Sequence, residues 1–303
     1  MNTFGDRLVN FLAEHGLKAS IVDYGHMNEL IAEIDGRYES GELDKKLYEG
    51  YLSRFRSKFS SSGSYKSVIV IAVPDMPAKL EFAVDDEIYS VTIPPTYVYG
   101  DMCASVDKLM EGYLEPLGYT LEKPVLPYKL LAVRSGLGRY GRNNVCYVPQ
   151  FGSFHRIIAY YSDMPCDRDN WQEAVVMERC GGCRICMSSC PTGCMARDRF
   201  LIHAENCLTY LNENAGEFPE WLEPKAHNAI VGCMSCQTGC PENRSFMKNI
   251  ETIEGFDSGQ TKMLLEGVPF EELPGELTAK LDRLCLSEYY DVLPRNLGVL
   301  VKK

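Results

Sequence analysis

Apolar residues recur at Leu8, Phe11 and Leu12 between charged neighbours, the spacing of an amphipathic helix over residues 3–15. A second helix is expected over residues 43–55, closed by the Ser/Gly cluster at 60–64. Residues 67–73, Ser-Val-Ile-Val-Ile-Ala-Val, then form an unbroken apolar run of strand length that Pro74 ends, which predicts a buried strand. Two shorter runs, 81–84 and 88–93, flank Asp85, Asp86 and Glu87 and predict a hairpin. Residues 102–117 read as a helix, 156–161 as a strand and 277–290 as helical. The pattern predicts an α+β chain in three parts: an α/β domain for cofactor and substrate over 1–168, a cysteine-rich domain over 169–250, and a helical segment over 251–303 that packs back on the first domain.

Composition narrows the class. The chain has 303 residues, 45% hydrophobic and 24% charged, which suits one large or two medium globular domains and excludes a disordered, collagenous or coiled-coil architecture. No run approaches the ~18 consecutive apolar residues of a membrane helix. The first residues carry neither the basic start nor the apolar core of a secretion signal, so a cytoplasmic protein without membrane association is expected. Thirteen cysteines exceed what packing requires, and a reducing compartment makes metal a better explanation than disulfides. With 31 Lys and Arg against 42 Asp and Glu, the net charge of -11 disfavours extended contact with a polyanion but leaves room for a small basic patch.

Nine of the thirteen cysteines fall between Cys180 and Cys240, and a Cys-x2-Cys or Cys-x2-Cys-x2-Cys run leading to Cys-x3-Cys-Pro occurs twice. The first run is Cys180, Cys183, Cys186 and Cys190-Pro191; the second is Cys233, Cys236 and Cys240-Pro241, with Cys207 between them. Cysteines spaced by two residues wrap a 4Fe–4S cube, and in two-cluster ferredoxins the Cys before Pro serves the neighbouring cube. That rule assigns Cys180, Cys183, Cys186 and Cys240 to a first cluster and Cys190, Cys207, Cys233 and Cys236 to a second. Structural zinc is the competing reading, although zinc takes four ligands from paired knuckles and does not ask for the third Cys or the Cys-Pro. Cys194 is surplus and reads as a buried thiol; Cys103, Cys146, Cys166 and Cys285 have no partner spacing.

Gly136-Leu-Gly138-Arg-Tyr-Gly141 matches the dinucleotide pattern G-x-G-x-x-G. The match is a decoy, because residues 130–134 before it read as a helix and not as the first strand of a nucleotide fold. Its glycines either let backbone approach a flat ligand or make a turn between packed elements.

Residues 132–143, Ala-Val-Arg-Ser-Gly-Leu-Gly-Arg-Tyr-Gly-Arg-Asn, together with Phe151-Gly152-Ser153-Phe154 and the cysteine region through Asn243, resemble the epoxyqueuosine reductases, relatives of the corrinoid reductive dehalogenases. The resemblance covers residues 66–245 most firmly. It implies a nitroreductase-like, cobalamin-binding first domain and two 4Fe–4S clusters that feed electrons singly to the cobalt. It further implies an external low-potential donor of the flavodoxin or ferredoxin type, and a tRNA epoxide or a comparable electrophile as substrate. On it, Ser135, Gly136, Gly138, Gly141, Asn143, Gly152 and Ser153 border the corrinoid. No Asp-x-His-x-x-Gly element occurs, so no lower His ligand is encoded.

Departures from the family pattern are visible. The catalytic Asp of its Asp-x-x-Pro element is replaced by Glu122, in Leu121-Glu122-Lys123-Pro124, and Asp101-Met102-Cys103 stands where the family has Asp-Tyr-His. Substrate recognition is therefore expected to have diverged. Glu122, Tyr97 and Tyr140 are the candidate proton donors, with Tyr99 as a further tyrosine. Arg134, Arg139, Arg142 and Arg156 either bind an anion or neutralise acidic neighbours. Two other functions fit the same residues: an electron-transfer protein without corrinoid, and a reductase of a small halogenated or oxidised metabolite.

Overall fold

A computed structural model describes residues 3–55, 64–248 and 250–302. Nine strands occur among them: β1 (Lys18–Asp23), β2 (Ser67–Pro74), β3 (Ala78–Val84), β4 (Glu87–Ile93), β5 (Leu121–Glu122), β6 (Arg139–Tyr140), β7 (Cys146–Tyr147), β8 (His155–Ser162) and β9 (Thr252–Phe256). The chain divides into two compact units. One comprises residues 1–74, 102–183 and 198–203, the other 75–101, 184–197 and 204–303.

In the first unit, β1, β2, β8 and β5 form an antiparallel sheet in that order. The apolar run of β2 explains why the sheet is covered on both sides. Val68, Val70 and Ala72 point into one core, and Ile69, Ile71 and Val73 into another, the period of two that a strand imposes. Helices α1 (Phe4–Glu14) and α3 (Gly100–Leu114) cover the second face with Leu8, Leu12, Val106, Met110 and Leu114. Helices α2 (Met27–Glu39) and α4 (Tyr128–Arg134) cover the other with Met27, Leu30, Leu131 and Val133. Helix α1 starts where the sequence marks it: Thr3 caps the amide of Asp6, and the Asp6 carboxylate returns a bond to the Thr3 amide.

The expected elements at 3–15, 67–73, 81–93, 102–117 and 156–161 are all present. The expected helix at 43–55 is a single α-turn at Lys45–Leu47 that widens into a π-turn at Tyr48–Leu52, and residues 60–63 of its closing cluster lie outside the described residues.

The second unit holds the hairpin. β3 pairs antiparallel with β4 and parallel with β9, which makes a three-stranded sheet. Helices α8 (Ser258–Glu266), α9 (Gly275–Arg283) and α10 (Leu293–Val301) bury Leu264, Leu277, Leu281, Leu293 and Leu297 in the core that this sheet shares. The units therefore cut across the expected boundaries at 168 and 250, because residues 78–84 take their parallel partner from the C-terminal segment. No helix of the described residues is long and apolar enough to cross a membrane.

Candidate iron–sulfur site

Each cysteine run carries one short helix. Helix α5 (Ile185–Ser189) holds Cys186 and delivers Cys190 in extended conformation at its C-terminus. Helix α7 (Ser235–Thr238) holds Cys236 and is followed by Cys240, again extended, before the turn Pro241–Asn243. The duplication in sequence is thus a duplication of structure, with Pro at the same place ending both helices. The two helices pack on each other, and a Cβ placed on Gly239 would lie 3.1 Å from Ile185 Cγ2. Cys207 stands at the N-cap position of the intervening helix α6 (Leu208–Glu213).

All four cysteines assigned to the second cluster belong to the second unit. Cys190 Sγ lies 3.5 Å from the Sγ of Cys194, which is buried as expected, and 3.5 Å from Thr192 Oγ1. Asn228 donates from Nδ2 to Cys233 Sγ at 3.2 Å, and Ser235 Oγ stands 3.6 Å from the same sulfur. The hydrogen bond with Cys194 is the first cause that lowers the Cys190 thiol, to about 5, and it lowers the Cys207 thiol too, whereas burial pushes the Cys233 thiol up. Four cysteines in one unit are the donor set that a 4Fe–4S cube takes. Among the described residues no three His, Cys, Asp or Glu side chains converge tightly enough to hold a single metal ion. For the first cluster, Cys186 and Cys240 lie in the second unit and Cys180 and Cys183 in the first, where Arg142 Nε approaches the Cys180 carbonyl at 3.5 Å.

The candidate proton donors separate. Tyr97 is buried in the second unit and donates its hydroxyl hydrogen to Glu213, whose carboxyl burial pushes up in pKa. Tyr140 is sunk in the core of the first unit against Phe200, and burial pushes its phenol far up. Glu122 is exposed at the sheet edge, where it accepts a hydrogen bond from Tyr65. That bond is the first cause raising Tyr65 to about 12, and the rings of Tyr24 and Tyr161 lie 5.5 and 5.3 Å from that of Tyr65. Tyr65 has no sequence signal of its own, since it follows the Ser/Gly cluster and meets Glu122 only once β5 pairs with β8.

The glycine segment follows helix α4, as expected, and is tightly packed. A Cβ on Gly138 would lie 2.6 Å from Cys146 Sγ and 2.8 Å from the Tyr147 carbonyl; one on Gly141 would lie 2.6 Å from the Tyr147 ring. Gly136 takes φ 73° and Gly152 φ 60°, conformations that a side chain disfavours. Ser135 is fully buried and bonds the Ala132 carbonyl; Asn143 donates to the Tyr147 hydroxyl at 3.0 Å; Ser153 is buried as well. Arg134 ion-pairs with Glu29 and Glu173 and stacks 4.7 Å over Trp171, so it neutralises acidic neighbours. These contacts hold the chain's own turn together.

Residues 179–243 match the family model of the 4Fe-4S double cluster binding domain. The epoxyqueuosine reductase of Escherichia coli (strain K12) is 30% identical over 231 residues, 71% of this chain and 58% of that protein. This chain resembles the epoxyqueuosine reductases. It spans little more than half the length of that curated relative. Its fold is also theirs: the Streptococcus thermophilus epoxyqueuosine reductase superposes with a TM-score of 0.63 at 21% identity, covering 99% of this chain and 81% of that one. A second structure, of an epoxyqueuosine reductase with an epoxyqueuosine-modified tRNA-Tyr stem loop, gives a TM-score of 0.66 at 18% identity over 98% of this chain and 80% of that one.

Proposed function

We propose that this chain is an iron–sulfur reductase of the epoxyqueuosine reductase type, with two 4Fe–4S clusters ligated by Cys180, Cys183, Cys186 and Cys240 and by Cys190, Cys207, Cys233 and Cys236. The observation that carries the reading is the repeated helix and Cys-Pro unit inside a stretch that matches a double cluster domain. Such clusters, when bound, supply electrons one at a time at low potential. An external flavodoxin or ferredoxin type of donor would refill them.

Reductive removal of an epoxide oxygen takes up two electrons and two protons and releases water, so the chain must also deliver protons. Glu122 and Tyr65 are the candidates for that, supported by their shared hydrogen bond at an exposed sheet edge, whereas Tyr97 and Tyr140 are buried. A carboxylate that accepts from a phenol holds the phenolic proton in place. The half-buried rings of Tyr24 and Tyr65 beside it, backed by the buried Tyr161, would offer a face to a planar base.

The finer reading takes epoxyqueuosine in tRNA as substrate and a cobalamin as electron acceptor. The tRNA rests on the stem loop held by a structural relative, and the cobalamin on the sequence resemblance. A second reading is an electron-transfer protein without corrinoid, since the family model that matches covers the double cluster domain alone. Anaerobic, reconstituted protein supplied with reductant and an epoxyqueuosine-bearing anticodon stem loop should form the reduced nucleoside and should bind about one cobalamin per chain. Turnover absent with both clusters intact would reject the tRNA role; clusters that reduce and reoxidise with no cobalamin uptake would favour the carrier.

A further inference from the structure

We propose that Cys194 and Asn228 raise the reduction potential of the second cluster by donating hydrogen bonds to its ligand sulfurs. The inference rests on the cluster assignment above and concerns two side chains to which that assignment gives no role.

The geometry places both donors without help from the metal. Gly193 adopts φ 61°, and its amide bonds the Cys190 carbonyl, which folds the chain after Pro191 back on itself. Cys194 is thereby buried with its Sγ 3.5 Å from that of Cys190. Asn228 is oriented by its own carbonyl, since Oδ1 accepts the Met234 amide at 2.7 Å. The amide nitrogen is left facing Cys233 Sγ at 3.2 Å, with the Ala226 carbonyl at 3.0 Å and Ser235 Oγ at 2.9 Å. Two of the four sulfurs assigned to this cluster, those of Cys190 and Cys233, thus have one of these side chains within hydrogen-bond reach, and neither side chain is itself a ligand.

A 4Fe–4S cube gains one negative charge on reduction, and part of that charge resides on the thiolates. Donors aimed at those sulfurs stabilise the reduced form more than the oxidised one, so they move the potential upward. As a donor, Cys194 needs no rearrangement. As a ligand, it would have to displace one of four cysteines already present, since a cube takes four.

The test uses the anaerobic, fully loaded protein and an EPR-monitored redox titration. Cys194→Val keeps an apolar side chain of slightly larger size and removes the S–H donor, Cys194→Ser keeps a donor, and Asn228→Leu removes the amide independently. The expected result is full iron in all three, with one midpoint potential moved negative in Cys194→Val and in Asn228→Leu, and closer to wild type in Cys194→Ser. Unmoved midpoints with full iron would overturn the inference and leave the two residues as packing. Loss of one cluster in Cys194→Val would overturn it in the other direction, by making Cys194 a ligand. Wild-type protein without iron would remove the cluster assignment itself and this inference with it.

Discussion

Glu122, on the two-residue strand β5, accepts the hydroxyl hydrogen of Tyr65, and the two residues are joined only because β5 pairs with β8 at Glu122 and Tyr161. A lone surface carboxylate would have no such partner. If the pair delivers a proton, Glu122→Gln should lower the rate of the chemical step by roughly 10²-fold or more while leaving both clusters reducible. Tyr65→Phe should lower it less, because the carboxyl remains. Single-turnover rates across pH separate these outcomes from a change in substrate binding, and an unchanged rate in Glu122→Gln would remove the carboxylate from the mechanism.

The glycine segment makes a prediction about stability. Gly138→Ala puts a methyl 2.6 Å from Cys146 Sγ and 2.8 Å from backbone oxygen, so it should cost about 1–3 kcal/mol of overpacking. Gly112→Ala is the control: it lies inside α3 with nothing within 4 Å, and should be neutral or stabilising by up to about 1 kcal/mol. Denaturant unfolding of the two variants checks both signs.

His155, on β8, gives a pH dependence. Burial lowers its pKa to about 4 from the ordinary 6.5, against a raising contribution from its bond to the Gly152 backbone. A histidine depressed in the folded state contributes stability that is present above pH 6.5 and lost as the pH falls toward 4. Between pH 7 and pH 5 the loss should be about 2 kcal/mol. His155→Phe should flatten that part of the stability profile, and a profile parallel to wild type would show that the imidazole is not held neutral.

The interlocked ligand scheme is tested by Cys240→Ser. The variant should damage the cluster of Cys180, Cys183 and Cys186 and spare the one that contains its sequence neighbours Cys233 and Cys236. Mössbauer spectra that show loss only of the latter would reverse the assignment.

Much of this was legible in the residues. The run at 67–73 and the hairpin at 81–93 are local patterns, and local patterns survive folding. The cysteine spacing was equally plain, because a cube dictates it. Three things were not. Strand β9, Thr-Ile-Glu-Gly-Phe, has little strand character alone and exists through its parallel pairing with β3, far back in the chain. That pairing moved the unit boundary away from 168 and 250. Gly138 and Gly141 read as a ligand cradle before they read as a turn, and only the positions of Cys146 and Tyr147 show what fills the space beside them. Cys194 and Asn228 carry no motif at all; their interest arises where the chain brings them to other sulfurs.

The most direct test of the account is iron, acid-labile sulfide and zinc analysis of protein purified and reconstituted without oxygen. Two complete cubes predict about eight iron and eight sulfide per chain and no stoichiometric zinc. One or more zinc ions per chain in place of the iron, or neither metal, would contradict it.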